Sequence, residues 1–130
     1  MKQTLTRHIV IEDEPTRTSV TWCVETDYLV ITLKIWKYWD MSSFYHRPWL
    51  PVEMVGVVIV DLGYHYKSNK RSDYATHFDK CSYMLDKSPC WYDGTTTGAE
   101  EIWRRVHSEE DIWNELSKIA ISCTEELATR

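Results

Sequence analysis

The chain is predicted to be α+β, an antiparallel sheet of about four strands with two C-terminal helices packed on one face. Three observations carry this expectation. Two stretches of the first half alternate apolar and polar residues with period two, and a third is almost continuously apolar. The C-terminal part holds two helix-start signals, each followed by an apolar stripe at helical spacing. Strands therefore come first and helices last.

The first element is short. His8-Ile9-Val10-Ile11 is rich in β-branched residues, and the acidic stretch Glu12-Asp13-Glu14-Pro15 reads as a loop. From Thr18 to Glu25, Val20, Trp22 and Val24 fall on one face and Ser19, Thr21 and Cys23 on the other, the pattern of a half-buried strand. Thr26-Asp27 can turn the chain. From Tyr28 to Trp39, Leu29, Ile31, Leu33 and Ile35 share one face, opposite Val30, Thr32, Lys34, Trp36 and Tyr38. These two runs are expected to pair as an antiparallel hairpin.

Residues 40–51 break the pattern, because Pro48 and Pro51 exclude a regular central strand or helix. The loop carries Phe44, Tyr45, His46, Arg47 and Trp49, and two arrangements are open: a solvent-facing contact surface of aromatics beside Arg, or a segment folded back over a sheet edge. Val52 to Leu62 is nearly all apolar and is expected to be a strand covered on both faces. Residues 63–96 are polar, aromatic and irregular, and are expected to form a long loop region.

Thr97 and Glu100 have capping-box spacing, and Ala99, Ile102, Trp103 and Val106 then share a stripe. Ser108 opens the second helix, with Glu109, Glu110 and Asp111 at the positive end of its dipole. Ile112, Trp113, Leu116, Ile119, Ala120, Cys123 and Leu127 give that helix one apolar face. Trp113 is expected to fill the largest volume between this helix and a sheet built on Val57, Ile59 and their neighbours.

At 130 residues with 43% hydrophobic and 27% charged side chains, one domain spanning 1–130 is expected: mainly strands over 1–62, the loop region over 63–96 and two helices over 97–128. The net charge of −5 is unevenly placed, since residues 98–130 hold four basic against eight acidic side chains, a balance of −4. Such a helical surface disfavours phosphate and favours a basic partner. Met1-Lys2 is followed by no apolar run, and the apolar stretch 54–60 is too short for a bilayer, so a cytoplasmic protein without membrane contact is expected. In that compartment four cysteines are expected as free thiols.

Gly63-Tyr64-His65, Cys81, Cys90-Trp91-Tyr92-Asp93-Gly94-Thr95, Ala99 and Trp113 together resemble a group of small phage and prophage proteins. That group shows Gly-Tyr-His, a Cys, Cys-Tyr-Tyr-Asp-Gly-Ser, then an Ala and a late Trp within helices. The likeness covers the second half of the chain. Trp91 stands where the pattern has Tyr, Thr95 where it has Ser, and the aromatic pair expected near the end is absent after Leu116. The resemblance implies phage provenance and no mechanism.

Three functional readings follow. The first is a phage-encoded, non-enzymatic binding protein that inhibits a host defence system such as a CRISPR effector. It would act by protein–protein contact through an acidic and aromatic surface, with Glu109, Glu110, Glu115, Tyr45, Arg47 and Trp49 as the contact residues. The acidic helices would compete for the host protein's nucleic-acid-binding surface. The second is a nucleic-acid-binding accessory protein that stacks bases on Tyr64 and Tyr66 and pairs phosphates with Lys67, Lys70 and Arg71. Against it, residues 61–97 hold five basic and five acidic side chains. The third is a small metal- or thiol-dependent enzyme. Cys81 and Cys90 with His65 and His77 are zinc-type ligands, but without Cys-x-x-Cys or His-x-x-x-His spacing neither metal nor cofactor is expected. A Cys nucleophile with His65 or His77 as base and Asp61 or Asp93 as orienter lacks any strand–turn–helix elbow to hold it, so no catalytic residue is assigned.

Overall fold

The alternating stretches become strands that pair in chain order. The structure, a computed structural model, describes residues 4–37, 44–45, 47–55, 58–66, 76–84 and 97–128. Its elements are β1 (Thr6–Glu14), β2 (Arg17–Glu25), β3 (Leu29–Lys37), β4 (Phe44–Tyr45), β5 (Met54–Val55), β6 (Val58–Tyr66), β7 (Thr76–Met84), α1 (Thr97–Arg105) and α2 (Glu109–Ala128). The main sheet has five strands in the order β1-β2-β3-β6-β7, and β4 and β5 form a two-stranded ladder. Every pairing is antiparallel. Both helices pack on one side of the main sheet, α2 over β2 and β3 and α1 over β6 and β7. The class is α+β.

Register explains which face is covered. Val20 lies opposite Ile35, Trp22 opposite Leu33 and Val24 opposite Ile31. Those β3 residues lie opposite Val60, Leu62 and Tyr64 of β6. Directly opposed residues share a face, so these side chains form one continuous apolar layer. Ala99, Ile102, Trp103, Val106, Ile112, Trp113, Leu116 and Ala120 close over it from the helices. Trp22 is fully buried and Trp113 is 9% exposed, so Trp113 sits nearer the rim of the core than its centre.

Several boundaries differ from the sequence expectation. β1 extends through Glu12-Asp13-Glu14, because the tight Pro15-Thr16 turn carries the ladder to its end, where Glu14 faces Arg17. The apolar run 52–62 is not one strand: Met54–Val55 pairs with Phe44–Tyr45, and β6 begins at Val58. Val58, Ile59 and Val60 are consecutive and wholly buried, so β6 is covered on both faces at this point. Ile59, opposite Trp36, lies on the face away from the helices, and the helix-facing residues are Val58, Val60 and Leu62. Val57 lies outside the described residues. The expected loop region 63–96 contains the last four residues of β6 and all of β7.

The helix starts are as expected. Ser108 Oγ accepts the Asp111 N–H at 3.1 Å, and Asp111 Oδ2 accepts the His107 N–H at 2.8 Å. The first bond satisfies a donor that the first turn leaves without a helical partner, and the second holds the residue before the cap. The side chain of Thr97 lies outside the described residues.

A second polar contact ties α2 to the sheet. Thr26 and Thr124, both buried, share a hydroxyl–hydroxyl bond of 2.8 Å across 98 positions of sequence. Thr26 Oγ1 also accepts the N–H groups of Tyr28 (3.2 Å) and Leu29 (3.3 Å), so it builds the β2–β3 turn as well as docking the helix. Thr124→Val should lower the stability measured by urea denaturation by about 1–2 kcal/mol, the cost of one buried hydroxyl left without its partner. Thr26→Val should cost about 1 kcal/mol more, because it also removes the acceptor for the turn. Equal losses would show that the turn does not depend on Thr26.

Candidate functional site

The Pro-flanked loop folds inward. Leu50 N–H donates to Arg47 O at 3.0 Å, closing a turn with Pro48 at the position its fixed φ favours. Trp49 is thereby set between two other tryptophans, with ring centroids 6.2 Å from Trp22 and 5.6 Å from Trp103. The Arg47 guanidinium lies 4.7 Å from the Trp103 ring centroid and donates from Nη1 to Val106 O at 3.5 Å. Arg47 and Trp49 fold back over the sheet face at Trp22 rather than over a sheet edge, and join β2 to α1. The side chain of Tyr45 lies outside the described residues, although its backbone pairs with Met54 in β4.

The three acidic contact candidates on α2 are each held by a partner. Glu110, 66% exposed, pairs with Arg7 at 3.6 Å, and Glu109 Oε1 accepts from Trp113 Nε1 at 3.3 Å. Arg7 also lies over the Trp113 ring, 5.8 Å from its centroid. Glu115 is only 15% exposed; its Oε1 accepts from Arg105 Nε (2.9 Å) and Nη2 (2.6 Å), and Lys118 approaches at 3.8 Å. Glu109 and Glu110 therefore belong to the N-terminal turn of α2, whereas Glu115 is a strut between the two helices. The charge excess was visible in the sequence; its pairing was not, because Arg7 and Arg105 lie far along the chain.

The Gly-Tyr-His motif sits at an irregularity in the sheet. The β6–β7 register shifts between Leu62 and Tyr64, while on the other side Gly63 stays opposite Thr32 and His65 opposite Val30. A Cβ on Gly63 would lie 2.7 Å from Thr32 Oγ1 and 3.1 Å from His65 Nε2, so the close approach of these two side chains requires glycine. Burial holds His65 below the ordinary histidine range, which favours the neutral ring. Tyr64, on the helix-facing side, packs against the core, and Tyr66 ends β6 opposite Leu29. The expected 64–74 contact loop thus loses its two leading tyrosines to a strand. Lys67, Lys70 and Arg71 lie outside the described residues.

The weak metal and thiol candidates fall partly on β6 and β7. His77 pairs with Tyr64 and Cys81 with Leu62 along β7, while Cys90 and Asp93 lie outside the described residues. Asp61 Oδ2 accepts from Trp36 Nε1 at 2.6 Å on the face away from the helices. Cys23 is a buried thiol pushed above its usual range first by desolvation and then by Glu25, which makes it a poor nucleophile. Among the described residues no three His, Cys, Asp or Glu side chains are grouped to hold a metal ion, and no helix is long and apolar enough to cross a membrane.

No protein-family model, curated protein or solved structure matches this chain. The geometry alone therefore ranks the candidate residues. Among the described side chains of the expected contact surface, Glu110 is exposed and Glu109, Glu115, Arg47 and Trp49 are half-buried.

Two substitutions test these placements. Gly63→Ala should cost about 1–3 kcal/mol from overpacking, and combining it with Thr32→Ala should recover part of the loss by removing the 2.7 Å contact. No recovery in thermal melts of the double variant would place the strain elsewhere. Trp49→Ala should lower stability by about 2–3 kcal/mol, less than the ~3–5 kcal/mol of a wholly buried Trp. A Trp49→Ala protein that unfolds like the parent would return this side chain to the contact surface.

Proposed function

We propose that this chain is a non-enzymatic binding protein of phage origin, which inhibits a host defence protein by covering a basic, nucleic-acid-binding surface. The observation that carries this reading is the acidic first turn of α2, Glu109-Glu110-Asp111, with Glu110 66% exposed. Carboxylates held by Arg7, Trp113 and the helix cap are oriented before any partner arrives, which lowers the entropy lost on binding. A negative surface of this kind steers association with a basic partner and repels nucleic acid itself. The phage origin rests on the resemblance around Gly63-Tyr64-His65 and the Cys90 to Thr95 segment.

The test is affinity capture from bacterial host lysate, followed by measured binding to the captured protein. Glu109→Gln with Glu110→Gln, which removes the charge without setting a cation at the helix start, should weaken that binding at least tenfold and lower stability by only about 1 kcal/mol. Glu115→Lys should instead destabilise the fold, because it sets like charges beside Arg105 and Lys118. Unchanged affinity in the Glu109/Glu110 variant, or salt-sensitive binding of the pure protein to single-stranded DNA or RNA, would overturn the proposal.

A further inference from the structure

β1 is an edge strand, and among the described residues nothing pairs with its outer side. It runs nine residues in unbroken register from Thr6 opposite Glu25 to Glu14 opposite Arg17. Bulges, internal prolines and inward charges are the usual means of blunting an edge. No bulge or proline interrupts this one, and its inward charges, Arg7 and Asp13, lie toward its two ends. Three consecutive apolar side chains, Ile9, Val10 and Ile11, are instead 37%, 46% and 43% exposed at its middle. Ile9 and Ile11 lie opposite Trp22 and Val20, so they continue the helix-facing apolar layer beyond the strands that α2 covers.

The sequence of this edge is complementary to itself. Thr6-Arg7-His8-Ile9-Val10-Ile11-Glu12-Asp13-Glu14 is basic, then apolar, then acidic. Turned antiparallel about Val10, Val10 meets Val10 of a second copy, Ile9 meets Ile11, His8 meets Glu12, Arg7 meets Asp13 and Thr6 meets Glu14. Centring on Ile11 would place Val10 opposite Glu12 and Ile9 opposite Asp13. Centring on Ile9 would place Arg7 opposite Ile11. Parallel pairing in register would set each acid against the same acid. Opposed charges stabilise a cross-strand pair and like charges destabilise it, and a one-residue slip turns every side chain to the other face.

We infer that β1 pairs antiparallel with β1 of a second copy of this chain about a two-fold axis at Val10, joining two five-stranded sheets into one. Ile9 and Ile11 of each copy then form a patch of isoleucines on the helix-facing side. His8 and Glu12 face one another on the opposite side beside Val10. The local partners of these charges, Glu110 for Arg7 at 3.6 Å, Arg17 for Glu12 at 3.0 Å and the Thr18 hydroxyl for Asp13 at 3.5 Å, share the faces on which the new pairs form. They extend the pairs into small networks. This interface touches the acidic first turn of α2 only through the Arg7–Glu110 pair, and the strand pairing stands whether or not the functional reading does.

Sedimentation analysis of the full chain over a concentration series tests it. The parent should pass from 15.5 kDa to twice that mass as concentration rises to on the order of 100 μM. Asp13→Arg, which sets Arg7 against a like charge twice per dimer, should raise the dissociation constant about tenfold or more. Arg7→Asp combined with Asp13→Arg should restore it. Val10→Lys, which brings like charges together on the axis, should give a folded monomer, with circular dichroism and melting near the parent because Val10 is 46% exposed. If that variant fails to fold, the charge-swap pair still decides. A parent that remains monomeric throughout, or a dimer indifferent to Asp13→Arg, would overturn the inference.

Discussion

The helix-facing side of β2, β3 and β6 is a continuous layer of Val, Ile, Leu and Trp that cannot remain in water, and among the described residues its cover is the two helices together with Trp49, Leu50 and Met54. Removing apolar area from water is worth roughly 25 cal/mol per Å², so this one contact surface governs the placement of the elements around it. The direction of α2 follows from Thr124 on Thr26 near its C-terminal end and from Arg7 with Trp113 and Glu110 near its start. The position of α1 follows from Trp103 lying beneath Arg47 and against Trp49. Even the Arg47–Leu50 turn is a consequence, since its Trp49 ring completes the layer at Trp22.

Legibility in the sequence tracked how strongly each segment's own pattern specifies its structure. β2 and β3 were readable because strict alternation leaves one face for the core. α1 and α2 were readable because start signals coincide with apolar stripes. β7 was not, because Thr76-His77-Phe78-Asp79-Lys80-Cys81 shows no apolar alternation, and its strand state comes from pairing with β6. Glu12-Asp13-Glu14 looked like a loop for a related reason: on an edge strand, exposed acids carry no burial penalty, and the neighbouring strand's register decides the conformation.

The candidate site was legible in charge and illegible in contact. An acidic α2 start is a local property, written in three adjacent residues. Whether those acids face solvent depends on Arg7 and on Trp113, and whether Glu115 is available depends on Arg105, none of which a local pattern supplies. The half-buried placement of Trp49 was not readable because flanking prolines mark a turn without saying which way its rings point. Gly63 looked like one more loop glycine, yet the approach of Thr32 and His65 gives it a role inside a central strand.

The order of elements along the chain has a consequence for biosynthesis. Each strand of the main sheet pairs with the one preceding it within that sheet, so the ladder from β1 to β6 can assemble as it leaves the ribosome. Its helical cover is encoded last. At about 5–20 residues per second, α2 follows the end of β6 by roughly 3–12 s. During that interval the nascent chain presents a formed or forming apolar sheet without its helices. The production yield of this protein should therefore respond to chaperone supply and translation speed more than its finished stability would suggest.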